Sequence, residues 1–268
     1  MKTKLITVLL FMLIAVIVLT GCGGNKEVSS QAAQQTPVEL NVSAALGLKE
    51  ALLDIQKDYE GKNPNIKIIY NLAASGILAT QIEQGAPADL FIAAANKQLN
   101  DLQAKGLLMS NTRRPLVGNE LVLITAKNAQ LSLKSFQDIE KVKSFGLGAP
   151  ETVPAGQYGM EVLKKIGIWD VVKDRAVLAK DVRTILTHVE TGNVDGGIVF
   201  STVAATSDKV VVVARAPAGS NEPIVFPAAV LSNAKKPQAA DEFLTYLAGP
   251  EGMKVFVKYG FKAIGANQ

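Results

Sequence analysis

Gln81-Ile82-Glu83-Gln84-Gly85-Ala86-Pro87-Ala88-Asp89-Leu90-Phe91-Ile92 joins two elements of different kind. Before it, Gly76–Gln84 reads as a helix; within it, a strand opens that runs over Leu90–Ala94. Working toward the N-terminus, Ile66–Leu72 reads as a strand. Leu48, Leu52, Ile55 and Tyr59 share one face of a helix over Leu48–Tyr59. Gly61 is expected to stop that helix and Pro64 to prevent its resumption. Leu40–Ala44 is a short strand ahead of it. Toward the C-terminus, a helix runs through Lys105 and stops at Gly106. Strands alternating with helices in this way argue for parallel sheets with helices on both faces.

A second β/α series opens at Pro115–Thr125, with a strand through Glu120-Leu121-Val122-Leu123-Ile124. It continues through a strand at Phe145–Leu147, a helix over Gly156–Ile166, and a short segment around Trp169–Val172. Then come Ala176–Leu178, a helix over Val182–Thr191, and strands at Gly197–Phe200 and Val210–Ala214. A connection rich in Pro, Gly, Ser and Asn, Ala216–Pro223, leads into Ile224–Leu231. Helices over Gln238–Leu247 and Pro250–Tyr259 close the chain. Pro250 suits a first helical turn, where its missing N–H is not needed.

At the N-terminus, Lys2 and Lys4 precede an apolar run from Leu5 to Leu19, interrupted only by Thr7, and Leu19-Thr20-Gly21-Cys22 follows. This is the layout of a secretory signal, and it resembles the bacterial lipoprotein signal. That resemblance implies cleavage before Cys22 and lipid on Cys22, so residues 1–21 are a signal peptide. The alternative, an uncleaved transmembrane anchor, needs about 20 apolar residues, more than this run supplies. Residues 22–37 are mostly Gly, Ser, Gln, Ala and Thr without apolar periodicity, and read as a flexible tether. The chain of 268 residues carries a formal charge of +4, and the signal holds two of its lysines and no acid. The basic balance is thus partly a property of the signal, and no nucleic-acid surface is inferred from it. Cys22 is the only cysteine, so no disulfide is expected and stability must come from packed cores.

Several stretches together resemble the molybdate-binding proteins of bacterial ABC importers. The most specific is Gln81–Ile92. Others are Gly118-Asn119, Val153-Pro154-Ala155-Gly156-Gln157-Tyr158, Asp181-Val182-Arg183, Gly197-Ile198-Val199 and Lys258-Tyr259-Gly260-Phe261. They stand in the family's order and span nearly all of residues 38–262. The resemblance implies a type II periplasmic binding protein, an α/β fold of two lobes. Residues 38–116 and 222–268 would form the first lobe and residues 117–221 the second. Two chain crossings, at Pro115–Leu121 and Ala216–Ile224, would form the hinge, and ligand would sit in the cleft between the lobes.

Molybdate is a deprotonated tetrahedral dianion and can only accept hydrogen bonds. Helix N-termini supply donors, because their first N–H groups lack intrahelical acceptors and the dipole favours anions. Four strand-to-helix turns are available: Ala44-Ala45-Leu46-Gly47, Ala73-Ala74-Ser75-Gly76, Val153-Pro154-Ala155-Gly156 and Lys180-Asp181-Val182. The first three carry no charged side chain. Carried over from the family, Ser75 would give its N–H and hydroxyl, and Ala155 and Val182 their backbone N–H groups. Two positions depart from the family pattern. Gly47 stands where the family has a serine, and Phe200 where it has a tyrosine. A hydrogen bond to a charged group contributes roughly 1.5–3 kcal/mol, so two uncompensated losses would weaken binding by about two to four orders of magnitude. Hydroxyls of Ser43, Ser201, Thr202 or Tyr158 could substitute, as could water, or the preferred anion could differ. Ser75 could instead cap the helix beginning at Gly76. Arg183, on a first helical turn, is expected to be solvated or paired with an acid such as Asp181 rather than to ligate.

Catalysis is not expected. His188 is the only histidine, so neither zinc chemistry nor a Ser-His-Asp arrangement has its parts. Gly-x-Ser-x-Gly and Walker-type phosphate loops are missing from the sequence. The expectation is an exported monomer, lipid-anchored on the outer face of the cytoplasmic membrane or in the periplasm. It would need no cofactor, and would bring molybdate and tungstate to an importer permease. The alternatives are capture of another tetrahedral oxyanion such as sulfate, and a tethered ligand sensor.

Overall fold

The computed structural model describes residues 37–264. The signal over 1–21, Cys22 and the tether up to Thr36 lie outside the described residues, as do residues 265–268. The elements, in order, are β1 (Val38–Ala45), α1 (Lys49–Lys62), β2 (Ile66–Ala73), α2 (Ser75–Glu83), β3 (Leu90–Ile92) and α3 (Asn96–Ala104). Then come β4 (Arg114–Gly118), β5 (Leu121–Ala126), β6 (Phe145–Gly148), α4 (Pro154–Lys165), α5 (Trp169–Val172), β7 (Ala176–Ala179), α6 (Val182–Glu190), β8 (Gly196–Phe200) and α7 (Ser201–Ala204). β9 (Val210–Arg215), β10 (Val225–Val230), α8 (Pro237–Ala248), α9 (Pro250–Lys258) and β11 (Lys262–Ala263) complete the chain.

Two sheets result. One has the order β11-β4-β10-β3-β1-β2 and draws strands from both ends of the described chain; the other, β7-β6-β8-β5-β9, comes from its middle. Each sheet with its helices is one lobe. The pairs β1–β2, β1–β3, β6–β7 and β6–β8 are parallel, as helix crossovers require. The sheets are nonetheless mixed, not wholly parallel. β10 runs antiparallel to β3 and β4, and β5 runs antiparallel to β8 and β9. These are the strands that enter or leave a lobe at the chain crossings. Such strands need no helical return, and nothing forces them to be parallel. β3 (Leu-Phe-Ile), β6 and β8 are buried at every residue, so they read as unbroken apolar runs.

Helix ends follow local chemistry, with one exception to expectation. α1 passes through Gly61 and ends at Lys62. Even inside a helix glycine costs only about 1 kcal/mol, and here Asn63 and Pro64 supply the stop. The Asn63 side chain donates to the Tyr59 carbonyl at 2.9 Å. Within Gln81–Ile92, Asp89 is 2% exposed. Its carboxylate accepts from the N–H groups of Asn41, Lys235 and Lys236 at 2.9, 2.7 and 3.0 Å. It therefore ties β1 to the entry of α8, a structural duty that the motif alone does not reveal.

β4 carries the first sheet through Gly118, and the chain crosses at Asn119-Glu120 into β5. The Asn119 side chain is a buried hub. It donates to the Thr202 hydroxyl at 2.9 Å and accepts from the Ser201 hydroxyl at 3.0 Å and from the Glu120 N–H at 2.8 Å. Glu120 pairs with Arg215 of the second sheet and Lys262 of the first, one cation from each lobe.

Candidate functional site

Six short segments meet where the two lobes face each other. Ala45–Gly47, Ala73–Ser75 and Ala94 of the first lobe, and Val153–Pro154, Asp181–Val182 and Phe200 of the second, line one cavity. It measures about 20 Å³, more than the roughly 10–15 Å³ one water needs, so it has room for a single small guest. Four of the five candidate ligands, Gly47, Ser75, Val182 and Phe200, lie in this wall. Ala155, next to Pro154 in the chain, is fully buried and does not line it. Pro154, the first residue of α4, has no N–H, which makes Ala155 the first donor of that helix.

Close packing aims these turns. A Cβ at Gly156 would lie 1.9 Å from the Gly148 carbonyl oxygen. Only glycine lets the first turn of α4 rest on the end of β6. The residues preceding the 3-10 turn at Leu46–Leu48, α2, α4 and α7 are Ala45, Ala74, Val153 and Phe200, all buried, and none supplies a side-chain cap. Buried first-turn N–H groups need acceptors. One of them, the Gly76 N–H, finds the Thr152 carbonyl at 2.9 Å. α6 is the exception, because the Asp181 carboxylate accepts from the Thr184 N–H at 2.8 Å.

Ser75 is fully buried and is the first residue of α2, not its cap. Its hydroxyl oxygen accepts from the Ala94 N–H at 2.9 Å, which leaves the hydroxyl proton to donate. The alternative role, capping, is thus not the one it plays. Ser75 and Asp181 are the only polar side chains in the wall.

Ser43, Ser201, Thr202 and Tyr158 do not line the cavity. Ser201 and Thr202 are engaged with Asn119 at the chain crossing. Burial pushes the Tyr158 hydroxyl pKa well up, and the Glu161 and Glu222 carboxylates add to the shift. The Tyr158 ring meets Phe200 edge-on at 6.4 Å, and Phe200 meets Phe226 of the first lobe at 5.1 Å. Phe200 is therefore both wall and packing. Arg183 does not pair with Asp181 as expected. Its guanidinium reaches Glu50 of the other lobe and donates to the Thr206 hydroxyl at 2.7 Å. The two residues are 133 apart in sequence, beyond any local pattern. Among the described residues no cluster of side chains could hold a metal ion, and no helix is long and apolar enough to cross a membrane.

Two α/β lobes meeting over a small cavity define a cleft-type solute-binding protein. Residues 40–262 match the family of bacterial extracellular solute-binding proteins, and the chain belongs to that family. It binds a solute and is not an enzyme. The chain is 43% identical over 251 residues, 94% of its length and 95% of the relative's, to a Bacillus subtilis protein provisionally named an ABC transporter substrate-binding lipoprotein. It is 41% identical to the molybdate-binding protein ModA of Haemophilus influenzae, over 84% of this chain and 90% of that one. The solved periplasmic molybdate-binding protein of Azotobacter vinelandii superposes with a TM-score of 0.74 at 22% identity, covering 84% of this chain and 100% of that one. That likeness shows the fold, a type II periplasmic binding protein.

Proposed function

We infer that this chain captures molybdate outside the cytoplasm and delivers it, as a monomer, to the permease of an ABC importer, and that it takes tungstate as well. The observation that carries the reading is the cavity itself. Uncapped helix starts and one hydroxyl, with its oxygen already occupied by the Ala94 N–H, surround space for one small guest. The N–H groups of those helix starts are the donors in this reading, and the one charged side chain of the wall, Asp181, accepts from the Thr184 N–H of its own helix. A fully deprotonated tetrahedral dianion suits it. Phosphate, which keeps a proton at neutral pH, needs an acceptor in return. The family likeness and the molybdate-binding name of the Haemophilus influenzae relative support the same choice. The donors are the N–H groups of Gly47, Ser75, Ala155 and Val182 and the Ser75 hydroxyl, with Phe200 closing the wall. Molybdate and tungstate have nearly equal size and equal charge, so this shell hardly separates them. Lipid on Cys22 holds the protein at the membrane, in keeping with the lipoprotein name of the Bacillus subtilis relative.

Titration calorimetry of the chain from Val38 onward, with molybdate, tungstate, sulfate and phosphate in turn, tests the reading. Molybdate and tungstate should bind within about tenfold of each other, above sulfate, with phosphate weakest. Phosphate binding more tightly than molybdate overturns it. Replacing Cys22 by serine should release the protein from the membrane fraction; retention would refute the lipid anchor.

A further inference from the structure

The geometry points to Glu50 and Arg183 as a closure latch, a pair of positioning residues that holds the lobes together over the cavity without touching its contents. Glu50 sits in the first turn of α1 in the first lobe, and Arg183 in the first turn of α6 in the second. Neither lines the cavity. One guanidinium nitrogen meets the Glu50 carboxylate. The other donates to the Thr206 hydroxyl at 2.7 Å, and that hydroxyl donates onward to the Val203 carbonyl at 2.7 Å. Thr206 and Val203 belong to Arg183's own lobe. The arginine is thus held from behind and aimed across the cleft before the lobes meet, which lowers the entropy lost on pairing. Both side chains are partly shielded, with exposures of 25% and 36%, so solvent screens the pair less than a fully exposed one.

The flanking contacts fit a seam that forms only on closure. The turn holding Gly47 lies against the second lobe, where a Cβ at Gly47 would be 3.5 Å from a Val203 methyl and 3.9 Å from one of Val182. Next to Ser75 and Val153 of the wall, the Gly76 N–H donates to the Thr152 carbonyl at 2.9 Å. An ionic contact and a backbone contact therefore join the lobes next to residues of the wall. A ligand that requires the closed form binds with an apparent affinity scaled by the fraction of molecules able to close. The latch raises that fraction and slows release, whichever anion occupies the cavity.

The test uses the mature chain with Glu50→Gln, Arg183→Gln and the double variant, each checked for an unchanged melting temperature. Molybdate release, followed by stopped flow, should be about threefold to tenfold faster in each single variant, with association changed less than about twofold. The double variant should be no faster than the singles, because a pair is lost only once. Raising the salt should speed release from the parent but not from Glu50→Gln. Amide exchange at Gly76, read by NMR without any anion, should be faster in Glu50→Gln, since that N–H is protected only by the other lobe. This arm does not need molybdate to be the ligand, so a parent that fails to bind molybdate refutes the ligand and leaves the latch to the exchange result. Unchanged Gly76 exchange, or fully additive effects in the double variant, overturns the latch.

Discussion

The Ser75 hydroxyl oxygen accepts from the Ala94 N–H at 2.9 Å, and this one contact orients the only hydroxyl in the cavity wall. With a lone pair committed to the backbone behind it, the group has its proton free to point forward. Ser75→Ala removes both roles. Binding of molybdate should weaken by roughly 1.5–3 kcal/mol, about tenfold to a hundredfold. The orphaned Ala94 N–H, in a fully buried setting, should cost a further ~1–3 kcal/mol of folding stability. Calorimetry and thermal melts separate the two. A lower Tm with an unchanged dissociation constant would show that the hydroxyl serves Ala94 alone.

How far the sequence carried this picture depends on distance along the chain. Periodicity located α1 from Leu52, Ile55 and Tyr59, and the apolar run Leu-Phe-Ile located β3, because those signals are local. The same logic missed β11, two residues long and formed only because Lys262 and Ala263 lie beside Gly118 and Val117. It missed the direction of β10, since an antiparallel strand after a long loop has no composition of its own. The meeting of Gly47, Ser75, Val182 and Phe200 at one cavity was implied only by resemblance, as four turns from two lobes share no pattern. Arg183 illustrates the limit. A nearby acid, Asp181, was the obvious partner, yet Asp181 is occupied by Thr184 and the arginine finds Glu50 in the other lobe.

Gly47 bears on the missing serine hydroxyl. Its backbone is not in the left-handed region, and a Cβ there would make ordinary contact with Val203 at 3.5 Å. Serine should therefore fit without strain. Gly47→Ser is expected to keep the melting temperature and to tighten molybdate binding by about 1 kcal/mol, the gain of one added donor. Calorimetry checks this. Weaker binding with an intact fold would mean that the hydroxyl turns toward Val203 and fills space the anion needs.

Phe200→Tyr adds a hydroxyl to a ring that is 2% exposed and wedged between Tyr158 and Phe226. If the new group reaches the cavity it gains an anion as acceptor, and binding should improve by roughly 1 kcal/mol or more. If it cannot, a buried hydroxyl is left without a partner and the fold loses about 1–3 kcal/mol. The expected outcome is tighter molybdate binding with a melting temperature that rises further when molybdate is added than the parent's does. A lowered Tm without tighter binding would place the ring edge away from the anion, and would count against molybdate as the native ligand.

Gly76→Ala separates closure from folding by driving two measurements in opposite directions. Gly76 is the second residue of α2, where alanine favours the helix over glycine by up to about 1 kcal/mol. Taken alone, the lobe should be no less stable. Across the cleft, however, a Cβ at this position would lie 2.6 Å from both the Cα and the carbonyl oxygen of Thr152. Those are backbone atoms and cannot swing aside as a flexible side chain could. Overpacking of this kind costs roughly 1–3 kcal/mol, and here the cost falls only on the closed form, since opening the lobes relieves it. The variant should therefore melt at the parent's temperature or slightly above without ligand, yet bind molybdate about tenfold or more weakly. It should do so although Gly76 contributes no atom to the cavity wall. Unchanged affinity would mean that the lobes hold the anion without meeting at Thr152, and the backbone contact there would have no part in capture.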